Sequence, residues 1–152
     1  MALAQSGCPL CGCRAPHPDG RALPYPLTLA VDWLLEHYGD ASIGVASMAA
    51  AAQVSVRQLQ ALCHTHLDTT PGQLIREVRL HQARRALLAA HPVRDAVRET
   101  IRDIAAGVGY LSPSNFGAQY SAYYSEAPST TLRRAQHSTP PDPPADPPPD
   151  PA

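Results

Sequence analysis

The sequence contains no lysine. All 12 of its basic residues are arginine, set against 13 acids, for a formal net charge of −1. Aromatics are scarce, with one Trp and one Phe, and charged residues make up only 16%. This balance excludes a polycation that holds nucleic acid by bulk charge alone. No stretch approaches the ~18 consecutive apolar residues of a membrane-crossing helix. The start has no basic segment followed by an apolar run, so no secretory signal is read and a cytoplasmic location is expected. Gly-x-Ser-x-Gly is absent, and so are His-Glu-x-x-His and any glycine-rich phosphate loop. His64 and His66 lack the spacing and the glutamate of a zinc helix. Glu36-His37 and the acids from Asp95 to Asp103 have no nucleophile with a converging base. Neither an enzyme nor a cofactor is expected.

The apolar pattern is missing at both ends. Residues 140–152 hold eight prolines and three aspartates without a single Ile, Leu, Val or aromatic, so 138–152 is expected to be a disordered Pro/Asp tail. Residues 1–24 carry Cys8, Cys11 and Cys13, then His17, among four prolines. Three thiolates and an imidazole are a zinc donor set. Cys-x-Cys is a tight spacing, however, and Pro9 and Pro16 restrict the chain around it, so a poorly ordered leader with incidental cysteines and no zinc is expected. Cys63 falls on an apolar stripe and reads as a small core residue. The remaining 25–137 suffices for one small cooperative unit or two smaller ones sharing a helix. Between residues 21 and 139 there are 11 arginines and 9 acids, a modest positive excess.

Strand signals are nearly absent, and the periodicity is helical. LTLAVDWLLEHY at 27–38 spaces Leu27, Ala30, Val31, Leu34, Leu35 and Tyr38 for a helix stopped by Gly39. A short helix follows at about 45–52, where four alanines allow close approach. Ser55-x-x-Gln58 is a capping-box sequence that starts a helix over about 56–66. Thr70-Pro71-Gly72-Gln73 combines an N-cap hydroxyl with proline at the first helical position. The helix it opens is expected to run to about Ala90, ahead of Pro92. At about 20 residues it spans roughly 30 Å. Residues 92–99 read as a single amphipathic turn, after which Thr100 is expected to cap a helix holding Ile101, Ile104, Ala105 and Val108. Ser112-Pro113 opens another over about 113–124, burying Phe116, Tyr120 and Tyr123 or Tyr124. Ser129 is expected to begin a last helix ending near Arg134. The fold class is all-α.

The organisation is a duplication. IGVASMAAAAQVSVRQLQALCHTHL (43–67) and IRDIAAGVGYLSPSNFGAQYSAYY (101–124) each read as helix-turn-helix, with a long linker helix between them. Such a unit places its second helix in the major groove. Two joined units raise each other's effective concentration on DNA. On these residues, 27–134 resembles the DNA-binding domain of AraC/XylS-type transcriptional regulators. The first match is VSVRQLQALCHTHLDTTPGQLIREVRLHQARRALL at 54–88. The second, IRDIAAGVGYLSPSNFGAQYSAYYSEAPSTTLR at 101–133, keeps Ile104-Ala105, Gly109-Tyr110, Phe116, Tyr120 and Pro128 in order. The resemblance implies two homeodomain-like units: subdomain one at about 27–68, a linker helix at about 71–90 and subdomain two at about 92–134. It also implies sequence-specific binding of double-stranded DNA and regulation of transcription, by recruiting RNA polymerase or by occlusion. The family pattern usually has glycine where this chain has Gln53 and Asp68, an aromatic at Cys63, and basic residues near Ala61 and Ser121-Ala122. The effector or dimerisation domain common beside this module has no counterpart in these residues. Fragment, stand-alone remnant and minimal regulator all fit.

Candidate DNA-contacting residues follow from the docking mode. In the first unit Arg57, Gln60 and His64 lie on the outward face; Arg57 offers a donor fork suited to guanine and Gln60 an amide suited to adenine. In the second, Ser114, Asn115 and Gln119 are neutral hydrogen-bonding groups on a helix without Arg, Lys or His. Arg76 and Arg102 are candidate phosphate contacts, while at least two of Arg76, Arg79, Arg84 and Arg85 are expected to be structural. The bland reading of each is a solvated surface residue. The runner-up for the whole chain is a degenerate helix-turn-helix fold that acts as a protein-interaction module. Operator, sign of regulation, effector and oligomeric state are not encoded in any motif.

Overall fold

The computed structural model describes residues 22–90 and 96–137. The Cys8/Cys11/Cys13/His17 cluster and the Pro/Asp tail lie outside the described residues. Among the described residues seven helices follow one another: α1 Tyr25–His37, α2 Val45–Ala51, α3 Val56–Leu67, α4 Pro71–Ala89, α5 Val97–Gly107, α6 Pro113–Tyr124 and α7 Pro128–His137. No strand occurs among the described residues.

Local chemistry sets most of the boundaries. The Ser55 hydroxyl accepts from the Gln58 backbone N–H at 3.1 Å, and the Gln58 side chain accepts from the Ser55 N–H at 2.9 Å. Thr70 and Ser112 cap α4 and α6 by accepting from the N–H groups of Gln73 and Asn115, each at 3.3 Å. The Gln73 side chain does not close a reciprocal box; it accepts from the Thr70 hydroxyl instead. Two expectations need correction. Thr100 lies inside α5, where its hydroxyl bonds back to the Ala96 carbonyl at 2.8 Å. The helix already runs from Val97, which leaves Thr100 no terminal N–H to cap. Helix α7 begins at Pro128, before Ser129, and continues past Arg134 to His137, whose ring bonds the Arg133 carbonyl at 2.7 Å.

Two cores share one helix. Leu27, Val31 and Leu34 of α1 pack with Met48 and Ala49 of α2, Leu59 and Cys63 of α3, and Leu74 and Val78 from the first half of α4. The second half of α4 gives Leu80, Ala83 and Leu87 to a separate core with Ala105, Phe116, Tyr120 and Leu132. Helix α4 thus closes the first unit and opens the second. Burial pushes the Cys63 thiol up to about 11, so it stays a neutral apolar filler. The second core is stitched by rings: Phe116 lies 5.3 Å from Tyr110 and 5.6 Å from Tyr120, and Tyr124 is 4.7 Å from Tyr120. Tyr124 is only partly buried and Tyr123 is exposed. Buried Thr131 is satisfied on both sides, accepting from Tyr120 and donating to Glu126 at 2.7 Å. Glu126 also takes Arg84 at 2.9 Å and Arg134 at 2.6 Å, tying α4, α6 and α7 together.

The duplication extends to backbone detail. Gln53 and Val54 donate to Ala50 and Ala49 in the first turn; Gly109 and Tyr110 donate to Ala106 and Ala105 in the second. Gln53 and Gly109 both have positive φ, 57° and 84°. Both following helices have 12 residues, and both end on a left-handed residue, Asp68 or Ser125. Leu111 is the one extra residue in the second turn, and it is 89% exposed. Gln53 and Asp68, the two sites where a glycine was expected by resemblance, are therefore left-handed positions, the conformation that glycine adopts without a Cβ penalty.

Candidate nucleic-acid interface

Helix α3 buries Leu59 and Cys63 and turns Arg57, Gln60 and His64 to solvent along one face. The three are spaced at three and four residues, so they form a stripe. None of them hydrogen-bonds or pairs with another described residue. Their donors and acceptors are free, on a helix fixed by its capping box.

Helix α6 occupies the equivalent place with different chemistry. Laying the Ser112 cap on the Ser55 cap puts Ser114 on Arg57, Gly117 on Gln60 and Ser121 on His64. Ser114 is exposed, as the sequence suggested. Asn115 and Gln119 fall on the flank beside that stripe, facing α4 across a cleft of about 340 Å³. They are bound to each other. The Tyr110 hydroxyl donates to Gln119 Oε1 at 2.8 Å, and Gln119 Nε2 donates to Asn115 Oδ1 at 3.0 Å. Burial pushes the Tyr110 phenol up, opposed by the nearby charges of Arg79 and Arg76, so the hydroxyl keeps its proton.

The arginines divide. Arg76 is exposed, lines the cleft and has no partner among the described residues. Arg102 is exposed on α5, also without a described partner, and does not line the cleft. Arg84 belongs to the Glu126 hub and lies over the Tyr124 ring at 4.5 Å; Arg85 bonds Gln82 on its own helix. Arg79 is structural in a way no motif signalled. Its Nε donates to the Tyr38 carbonyl at 3.0 Å and an NH2 nitrogen donates to the Asp40 carbonyl at 2.8 Å. It thereby joins α4 to the chain just past α1. Gly109 closes over the same spot, where a Cβ would lie 2.8 Å from the Tyr38 carbonyl oxygen and 3.0 Å from the Arg79 guanidinium. A Cβ on Gly39 would lie 2.7 Å from the Gly107 carbonyl oxygen. The two units thus meet backbone to backbone around Arg79. Among the described residues no group of three His, Cys, Asp or Glu side chains could hold a metal ion. No described helix is long and apolar enough to cross a membrane.

Sequence and fold comparisons agree with the helix-turn-helix architecture. A family model described as a helix-turn-helix domain matches residues 48–134. The probable thc operon regulatory protein of Rhodococcus erythropolis is 37% identical over 112 residues, 74% of this chain and 32% of that protein. The HTH-type transcriptional regulator GlxA of Rhizobium meliloti is 32% identical over 111 residues, 73% of this chain and 32% of its own length. The chain therefore spans about a third of the curated relatives it matches. The crystal structure of the DNA-binding domain of AdpA in complex with a target DNA shares the fold, with a TM-score of 0.66 and 22% identity. That likeness covers 78% of this chain and all of the other.

Proposed function

Because the chain belongs to the AraC/XylS-type helix-turn-helix regulators, a noncatalytic family, we propose that it binds double-stranded DNA sequence-specifically and regulates transcription. The observation that carries this reading is the stripe of Arg57, Gln60 and His64: three polar side chains, without a partner among the described residues, on the outward face of a helix held by a capping box. Arg57 suits the O6 and N7 acceptors of guanine and Gln60 the N6/N7 edge of adenine. From the second unit Ser114, Asn115 and Gln119 contact the DNA, and Arg76 and Arg102 approach phosphates. The chain divides into a leader at 1–24, a bipartite domain at 25–137 and a tail at 138–152. Within the domain, subdomain one (27–68) and subdomain two (92–134) flank the linker helix (71–90), and each is homeodomain-like. The 19 residues of α4 extend about 28 Å, which suits two adjacent major-groove segments on one face of the duplex, about 34–36 Å per turn. An effect on transcription follows by contact with RNA polymerase or by occlusion.

The test is selection of bound duplexes from a random pool. Enrichment of a motif spanning two adjacent segments is expected. A wild-type chain that enriches no sequence and binds every duplex equally poorly favours the protein-interaction reading instead.

A further inference from the structure

We propose that the cleft between α4 and α6 seats the DNA sugar–phosphate backbone, with Arg76 and the amide donors of Asn115 and Gln119 holding a phosphodiester instead of reading a base. The proposal rests on the DNA-binding reading above and assigns these two amides a different task within it.

Three independent observations converge on it. The first is register: Ser114, Gly117 and Ser121 take the base-facing places of Arg57, Gln60 and His64, so Asn115 and Gln119 sit on the flank turned toward α4. The second is the chemistry of the cleft. Its lining includes Arg76, Arg79, Ser112, Asn115 and Gln119, and no carboxylate. Arg79 is already committed to two backbone carbonyls, which leaves Arg76 as the cation of the lining without a partner among the described residues.

The third is the orientation of the amides. Tyr110 is buried, and Gln119 is the one hydrogen-bond partner of its hydroxyl among the described residues. Its proton therefore goes to Gln119 Oε1, which turns Gln119 Nε2 toward Asn115 Oδ1. Both side-chain oxygens are engaged. Each oxygen is turned toward its donor, and the N–H groups left uncommitted are two on Asn115 and one on Gln119. Adenine readout by an amide needs its oxygen and nitrogen together. A phosphate oxygen accepts only, and it matches these three uncommitted donors. The relay also holds both amides in place before binding, which lowers the ordering cost. Tyr110 is thus a positioning residue for the seat. The consequence is an asymmetric protein, in which the first unit carries most of the base readout and the second, through these amides, holds the backbone.

Affinity across a panel of duplexes at several salt concentrations tests this, with circular dichroism to confirm that each variant folds. Arg76→Ala is expected to weaken every duplex by a similar factor, on the order of tenfold, and to reduce the salt slope by about one. Asn115→Asp keeps the shape but replaces the donor with an anion, so it should weaken all duplexes alike. Tyr110→Phe should do the same to a smaller degree. Base preference should stay unchanged in all three. A preference altered at any one base pair by Asn115→Ala overturns the proposal, as do unchanged affinities for both Arg76→Ala and Asn115→Asp. Inorganic phosphate, followed through the Asn115 side-chain amide resonance, separates a DNA seat from a small-anion site. Weak, non-saturating shifts are expected; saturation at micromolar phosphate would assign the cleft to a free anion and overturn it. A wild type without affinity for any duplex is a separate failure, that of the DNA-binding reading itself.

Discussion

Helices α3 and α6 have the same length, the same kind of N-cap and the same left-handed stop, yet their outward faces differ in kind. On α3 the exposed polar groups are long, free and partly cationic. On α6 the equivalent places carry two serines and a glycine, and the larger amides beside them are tied into a relay from a buried phenol. The architecture is duplicated while the chemistry of the outward faces is not. The backbone needs caps, a turn and a buried seam to form the unit; none of these specifies what the solvent face presents. The second unit compensates in its interior, where an aromatic seam and the Glu126 hub fasten α6 to α4 and α7.

The largest effect expected from breaking this comparison is on stability. Phe116→Ala removes the fully buried ring between Tyr110 and Tyr120 and should cost about 3–5 kcal/mol. Because α4 serves both cores, heating should still give one transition when followed by probes in either unit. Two well-separated transitions would show that α4 does not couple the cores.

The next effect concerns how the units are held together. Gly109→Ala puts a Cβ against both the Tyr38 carbonyl and the Arg79 guanidinium, at a positive φ. The backbone strain alone is about 1–2 kcal/mol, and the contact adds to it. Chemical denaturation should show at least that loss. The variant should also lose discrimination between operators whose two segments are separated by different numbers of base pairs. Unaltered stability would mean that the junction is loose.

A smaller effect of opposite sign is expected in the first turn. Gln53 is a non-glycine residue at φ 57°, in the place where the second unit has a glycine. Gln53→Gly should stabilise the protein by roughly 0.5–1 kcal/mol, the steric relief exceeding the added freedom of the unfolded chain. A destabilised variant would indicate that the Gln53 side chain contributes more than its strain costs.

What was legible in the sequence is what depends on neighbours along the chain. Ser55-x-x-Gln58, Thr70-Pro71 and Ser112-Pro113 each marked a helix start that the structure keeps, and apolar spacing located both cores. The duplication and the exposure of Arg57, Gln60, His64 and Ser114 followed from the same periodicity. Thr100 was misplaced because it resembles a cap locally, while the helix around it begins earlier at Val97. Arg79 was one arginine among several, since its partner carbonyls lie about 40 residues away in sequence and leave no spacing signature. Asn115 and Gln119 looked like free groove residues because the Tyr110 hydroxyl that orients them comes from the preceding turn. The one signal available was Tyr110 itself, a hydroxyl at a position whose burial requires a partner.

The central claim, that sequence is read by the first unit, is tested most directly by measuring competition binding of wild type and Arg57→Ala at fixed salt. The competitors are a selected operator and its single-base variants. Arg57→Ala should relax preference at one guanine by about 1–3 kcal/mol, with the positions beneath α6 contributing less discrimination in the wild type. Identical preference profiles for the two proteins, or discrimination concentrated beneath α6, would contradict it.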